Sequence, residues 1–261
     1  MKIPVYQIDA FASRVFSGNP AAVCPLKSWL DDAVLQAIAQ ENNLSETAFF
    51  VPAKQGYHIR WFTPVAEVDL CGHATLATAF VVFAYLEPSS TEVSFNSRSG
   101  SLTVSREDDL LTMDFPSLPP VPCEAPNDSI KGLGGKPLEV WCAEDYVAVF
   151  SVEDDITDLR PDFELLKALD LRGVAATAKG KNVDFVSRFF APKYGINEDP
   201  VTGSAHCSLT PYWARILHKR DLHAHQVSKR GGELFCRDCG DRVKISGRAV
   251  AYMEGTITIT L

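Results

Sequence analysis

The sequence predicts an α+β fold of two pseudo-symmetric lobes, each a mostly antiparallel sheet wrapped around one central helix, over its 261 residues. The first observation behind this is an internal repeat. Arg60-Trp61-Phe62-Thr63-Pro64 leads into Cys71-Gly72-His73-Ala74-Thr75, and Arg188-Phe189-Phe190-Ala191-Pro192 leads into Thr202-Gly203-Ser204-Ala205-His206. The arginines lie 128 positions apart, close to half the chain. The second is that both copies read as an apolar strand, a proline-containing loop and a glycine opening a helix of small residues. The third is the stretch Phe115 to Pro137, with Pro116, Pro119, Pro120, Pro122, Pro126 and Gly132-Leu133-Gly134-Gly135. It is the best linker candidate and separates lobes at 1–118 and 119–261, the last strand being free to return to the first lobe. A helix start exposes unpaired N–H groups and the positive end of the helix dipole, so an anionic ligand is expected in a cleft between the lobes.

The elements follow the same order in each half. Met1 to Asp9 reads as a strand. Asp31 to Asn42 carries Ala33, Leu35, Ile38 and Ala39 at helical spacing, and strands follow at Glu46–Val51 and Tyr57–Phe62 before a helix from Gly72 to Leu86. The second half offers a helix over Pro161–Leu169, strands at Gly173–Ala178 and Val183–Phe190, and a helix over Gly203–Leu217. Strands with turn signals close each half: Glu92–Asn96, Ser101–Ser105 and Leu110–Phe115, then Gln226–Ser228, Glu233–Phe235, Val243–Ser246 and Ala249–Leu261.

Composition narrows the function. With 46% hydrophobic residues the chain buries a sizeable core, and a net charge of −8 without a basic block argues against nucleic acid and anionic membrane surfaces. A small molecule is the expected partner. The longest apolar stretch, Leu70 to Leu86, is broken by His73, Thr75 and Thr78 and is shorter than the roughly 20 residues of a membrane span. The N-terminus lacks an apolar signal core, and seven scattered cysteines fit a reducing cytoplasm with free thiols.

Three motifs are set aside. Gly132-Leu133-Gly134-Gly135-Lys136 has Ile130 in place of the first glycine of a phosphate loop and Pro137 after the lysine, so it reads as a flexible linker. Cys236-x-x-Cys239 with His223 and His225 has a metal-like composition, but Cys236 ends an apolar strand and Cys239-Gly240-Asp241 reads as a turn; no metal is expected. Arg106-Glu107-Asp108-Asp109 reads as a solvated turn.

Glu46 opens an apolar strand, and the counterpart region Arg172-Gly173-Val174-Ala175 has no carboxylate. If its face is buried, desolvation favours the neutral acid and makes a group able to accept and return a proton; an exposed acid at a strand start is the alternative. His73 at the first helix start is able to donate to a substrate oxygen or to bond a neighbouring carbonyl. Asp199 either caps the turn before Gly203 or bonds a substrate amine. Ser204 and the backbone at Gly72 and Gly203 offer donors to an anion. Cys71 is a reactive thiol or a buried small hydrophobe.

Gly18-Asn19-Pro20-Ala21-Ala22-Val23, Leu44-Ser45-Glu46-Thr47-Ala48-Phe49, Arg60-Trp61-Phe62-Thr63-Pro64, Glu67-Val68-Asp69-Leu70-Cys71-Gly72-His73-Ala74-Thr75 and Asp199-Pro200-Val201-Thr202-Gly203-Ser204-Ala205 together resemble the phenazine-biosynthesis isomerase-like (PhzF-like) proteins, in order through most of the chain. The resemblance implies the diaminopimelate-epimerase-like fold with its active site between the lobes, no cofactor, and a homodimer. The family's phenazine-pathway enzyme isomerises trans-2,3-dihydro-3-hydroxyanthranilate, a glutamate moving a proton between ring carbons. By motif that glutamate is Glu46, with His73 and Asp199 as further catalytic residues and Asn19, Gly72, Gly203, Ser204 and Cys71 as substrate-binding residues. The more distant epimerases use two thiols; here Cys71 matches the first, while Pro200 stands at the second. The leading expectation is a cofactor-independent isomerase moving a proton on a small carboxylate-bearing substrate. The alternatives are an amino-acid racemase or epimerase using Cys71 with Glu46, and a non-catalytic ligand-binding or partner-binding protein on the same fold.

Overall fold

The computed structural model describes residues 1–124, 126 and 130–260. Four positions of the expected linker, and Leu261 of the expected closing strand, lie outside the described residues. The chain divides into two compact units, one formed by Met1–Asp114 together with the chain from Ser246 onward, the other by Phe115–Ile245.

In the first unit β1 (Lys2–Ala10) pairs antiparallel with β2 (Asn19–Pro25) and with the closing strand Ala249–Thr258. Helix α1 (Asp32–Asn42) follows, with Leu35, Ile38 and Ala39 buried as their spacing predicts and Ala33 exposed. Next, β3 (Glu46–Pro52) lies parallel to β2 and antiparallel to β4 (Tyr57–Phe62). The short β5 (Glu67–Val68) pairs with β4 and leads to α2 (Gly72–Val81). β6 (Glu92–Ser97) runs parallel to β4, and β7 (Gly100–Glu107) and β8 (Leu110–Pro116) complete a meander.

The second unit repeats this plan. β9 (Val121–Pro122) and β10 (Glu139–Cys142) precede β11 (Tyr146–Val149), which lies parallel to β12 (Val174–Lys179) as β2 does to β3. Two short helices, α3 (Glu153–Thr157) and α4 (Phe163–Leu166), fall between them. β13 (Phe185–Ala191) is antiparallel to β12 and β14 (Ile196–Asp199), and α5 (Gly203–Leu217) follows. β15 (Asp221–Gln226) runs parallel to β13, matching the β4–β6 pair, and β16 (Gly232–Asp238) and Arg242–Gly247 end the unit. Most ladders are antiparallel, and parallel pairs recur at equivalent places.

Several elements depart from the sequence expectation. The helix of residues 72–86 is α-helical only to Val81, and Val82–Leu86 winds as a π turn. The segment Pro161–Leu169 holds one helical turn, capped by Asp162, which accepts from the Glu164 and Leu165 N–H groups at 3.0 and 3.2 Å. Its Leu166 and Leu169 reach the core without further helix. The strand expected at Gln226–Ser228 begins instead at Asp221: buried Leu222, Ala224 and Gln226 alternate with half-buried His223 and His225, a two-residue period that polar histidines disguise. The glycine cluster is no loose linker, because Ile130 and Leu133 are buried in the core with Phe150, Leu159 and Phe190, and the Asp162 N–H bonds the Gly132 carbonyl.

The repeated arginines are structural. Arg60 forks onto Glu67 with both contacts at 2.7 Å while its guanidinium lies 5.1 Å from the Phe62 ring centre. Arg188 forks onto Glu198 at 2.7 and 2.9 Å and lies 5.0 Å from the Phe190 ring. Each brace joins a central strand to the short strand before the helix start. Arg188 also donates to the Ile156 and Leu159 carbonyls, whereas Arg60 has a second carboxylate in Asp32 at 2.8 Å. Glu198→Ala, which leaves a partly buried Arg188 without a carboxylate, is therefore expected to cost about 2 kcal/mol, and Glu67→Ala, after which Arg60 keeps Asp32, less. Urea denaturation of both variants checks the order.

Candidate active site

Glu46 begins β3, which has a strand on each side and α2 packed against it, so residues 46–51 are all buried. Glu46 itself is 8% exposed. Helix α2 fits inside its sheet because it is built from Ala74, Ala77, Ala79 and Leu76, with the Thr75 and Thr78 hydroxyls bonding back to the Cys71 and Ala74 carbonyls at 2.6 and 2.7 Å. Cys71 precedes it in extended conformation and gives no side-chain cap, which leaves the first-turn donors and the positive end of the dipole at Gly72.

These elements bring Glu46, Cys71 and His73 together. His73 Nε2 lies 3.2 Å from Glu46 Oε2, and Cys71 Sγ lies 3.5 Å from His73 Nδ1, so the imidazole bridges a carboxylate and a thiol. Glu46 Oε2 and His73 Nε2 have ion-pair proximity but no hydrogen bond of good geometry among the described residues, so both keep bonding capacity for a further partner. Burial opposes charge on His73, but Cys71 and Glu46 outweigh it and hold its pKa well above the ordinary histidine value. Burial, reinforced by Glu46, pushes the Cys71 thiol up to about 11. The three donor atoms lie within 4.8 Å of one another, near enough to hold an ion if the thiol proton were displaced. Asn19, fully buried, opens β2 two residues before Ala21, the register partner of Glu46.

The second unit gathers Asp199, Gly203 and Ser204. Asp199 ends β14 and accepts the Thr202 hydroxyl, while the Thr202 N–H that a capping Asp199 would take is held by Gln226 Oε1 at 2.9 Å. Gln226 Nε2 also donates to the Asp199 carbonyl at 2.7 Å, fixing the turn from both sides. Ser204 Oγ accepts from Arg172 Nη2 at 3.0 Å, and Arg172 is held by buried Asp145, its Nε donating at 2.9 Å. His206, with its Nδ1–H donated to the Thr202 carbonyl at 2.8 Å and its pKa lowered by burial to about 4, is a neutral structural group.

Arg172, Asp145 and Gln226 were not found from sequence. The counterpart of β3 signalled an absent carboxylate, yet its arginine was the informative residue. Thr47 opposes Phe62 as Val174 opposes Phe190, so Gly173 occupies the register position of Glu46. A Cβ there would meet the Phe190 carbonyl at 2.5 Å. The second residue of each central helix nevertheless meets a group from the strand start: imidazole and carboxylate in one unit, hydroxyl and guanidinium in the other. The cysteine–histidine grouping does not form as a CxxC site, since Cys236 opposes Leu222 and is buried on the face away from His223 and His225.

A family model described as phenazine biosynthesis-like protein matches residues 8–255. The chain is 55% identical over 257 residues to a Pseudomonas aeruginosa protein described as an uncharacterized isomerase, covering 98% of this chain and 99% of that one. The crystal structure of a phenazine biosynthesis protein of the PhzF family from Enterococcus faecalis matches with a TM-score of 0.97 at 49% identity, covering 99% of this chain and 100% of that one. A hydroxyproline epimerase from Agrobacterium vitis shares the fold at 11% identity, with a TM-score of 0.60 over 98% of this chain and 92% of that one. The expected α+β, epimerase-like fold class is thus the observed one.

The raised values of His73 and Cys71 both mean that the folded chain keeps protons the unfolded chain releases, so both contributions to stability fall as pH rises. That of His73 is complete below about pH 6.5 and is lost through its elevated value. That of Cys71 is lost between the ordinary thiol value of 9.0 and about 11. Denaturation of wild type and Cys71→Ser across this alkaline window is expected to show a smaller loss in the variant.

Proposed function

The chain belongs to the phenazine biosynthesis-like (PhzF) family and is an isomerase of that type, and we propose that it moves a proton on a small carboxylate-bearing substrate with Glu46 as the proton carrier. The observation that carries this reading is the buried Glu46–His73 pair, close but not mutually satisfied. In the proposed reaction the Glu46 carboxylate takes a proton from a substrate carbon activated by its neighbouring unsaturation or carboxylate, and then returns it to a different carbon. His73, held towards its protonated form, donates to the oxygen on which negative charge grows, helped by the positive end of the helix dipole at Gly72. Neither step consumes a co-reactant, since Glu46 ends the cycle as the carboxylate it began, and while it carries the proton, exchange with solvent competes with return.

The second unit supplies donors suited to a carboxylate or hydroxyl: Ser204, steadied by Arg172, and the N–H groups at Gly203, beside Asp199 for an amine. A second reading, epimerisation, would use the Cys71 thiol, 3.5 Å from His73 and held protonated, as the acid partner to Glu46.

Incubation in heavy water with trans-2,3-dihydro-3-hydroxyanthranilate and with single enantiomers of amino acids separates these readings. A moved double bond, with or without deuterium uptake, supports isomerisation, uptake with inversion supports epimerisation, and binding with neither supports the ligand-binding alternative for these substrates. Glu46→Gln is expected to lower exchange by at least about 10²-fold with its thermal midpoint little changed. Undiminished exchange in that variant would sink the assignment of Glu46. Ser204→Ala is expected to raise KM about tenfold while leaving kcat within a factor of a few, as removal of a ground-state hydrogen bond does.

A further inference from the structure

Outside the proposed proton-transfer machinery, the second unit carries another convergent set of donors. β15 presents His223 and His225 on one face, a single pleat apart, and the antiparallel register sets Glu233 of β16 directly opposite His225. His223 Nε2 lies 2.8 Å and His225 Nε2 3.7 Å from the same atom, Glu233 Oε1, and all three donor atoms fall within 4.8 Å of one another. The histidine rings are 5.1 Å apart at 86°, so their nitrogens approach a common point from perpendicular planes. We propose that His223, His225 and Glu233 form a surface site for a borderline divalent transition ion such as Zn²⁺.

Zinc bonded to imidazole nitrogen at about 2.0–2.1 Å with tetrahedral angles sets donors about 3.3 Å apart, between the two observed separations. Small side-chain rotations therefore complete the site. The donor set fits the choice of metal, since two imidazoles and one carboxylate suit Zn²⁺, Co²⁺ or Ni²⁺, whereas Ca²⁺ requires six to eight oxygens. Three protein ligands leave a fourth position for water or an external ligand.

The strand beneath is well fixed. β15 lies between β13 and β16, and the His223 N–H donates at 2.7 Å to Asp184, whose carboxylate also takes Lys219. The His223 ring stacks on Phe235 at 4.8 Å and 7°, which restrains it with Nε2 facing Glu233. All three ligands are partly exposed, so an ion enters from solvent without unfolding. β15 ends at Gln226, which holds the Asp199–Thr202 turn, so an ion here stiffens the strand that anchors that turn.

The test is titration of the full chain with Zn²⁺ against a chromophoric chelator, together with the visible spectrum of the Co²⁺ form. The expected result is one ion per chain, a Co²⁺ spectrum lacking thiolate charge transfer, and unchanged binding in Cys71→Ser. Affinity is expected to fall more than about tenfold in the His223→Ala/His225→Ala double variant and in Glu233→Gln. Glu233→Gln, which keeps side-chain volume, stands in should the double variant fail to fold. Absence of binding by wild type, wild-type affinity in the variants, or a thiolate-bound Co²⁺ spectrum abolished by Cys71→Ser would overturn the site. Proton exchange plays no part in the measurement, so its outcome is independent of the isomerase reading.

Discussion

Each unit depends on an arginine forked onto a glutamate and laid across a phenylalanine ring. The guanidinium is planar, so two parallel hydrogen bonds and one aromatic face fix both its position and its tilt. Fixing the guanidinium fixes the short strand that carries the glutamate, and that strand delivers the chain to the start of the central helix. In one unit Arg60, Glu67 and Phe62 lead to Gly72; in the other Arg188, Glu198 and Phe190 lead to Gly203. Among the described residues neither helix start has a side-chain cap, while the approach to each is braced.

On this common frame the units carry opposite chemistry. Beside Gly72 the second helix residue is an imidazole facing a carboxylate, both buried with bonding capacity left over. Beside Gly203 it is a hydroxyl receiving a hydrogen bond from a guanidinium already paired to Asp145. In the first arrangement burial opposes charge on His73 while Cys71 and Glu46 favour it, and the charge-favouring neighbours prevail. The second is neutral overall and well bonded, as suits holding rather than reacting. His206, one turn into its helix, is buried and bonded to Thr202, so its environment keeps it uncharged while that of His73 favours charge.

Legibility followed how local each signal was. The repeat, the Gly-led helices and the carboxylate at the head of β3 are all written in contiguous residues, and Glu46, Cys71 and His73 do come together. Arg172 was visible but read only for what its segment lacked, because nothing local says that it reaches Ser204, 32 positions on. The glycine cluster at 132–135 shows the converse. Its composition announces flexibility, but neighbouring Ile130 and Leu133 bury themselves and bind it to the core. His223 and His225 obscured their own strand because a polar residue on the solvent face breaks an apolar pattern without breaking the two-residue period.

By itself the sequence determined the fold class, the duplication and the acid–imidazole–thiol composition of the first unit, since periodicity and turn chemistry act over a few residues and survive without knowledge of distant contacts. Tertiary structure alone decided which of these groups keep spare hydrogen-bonding capacity, which arginines brace and which one contacts a serine, and where the histidines of β15 find their carboxylate. Those outcomes depend on distances and burial between residues far apart in the chain, and a pKa or an ion pair is set by that environment rather than by residue type.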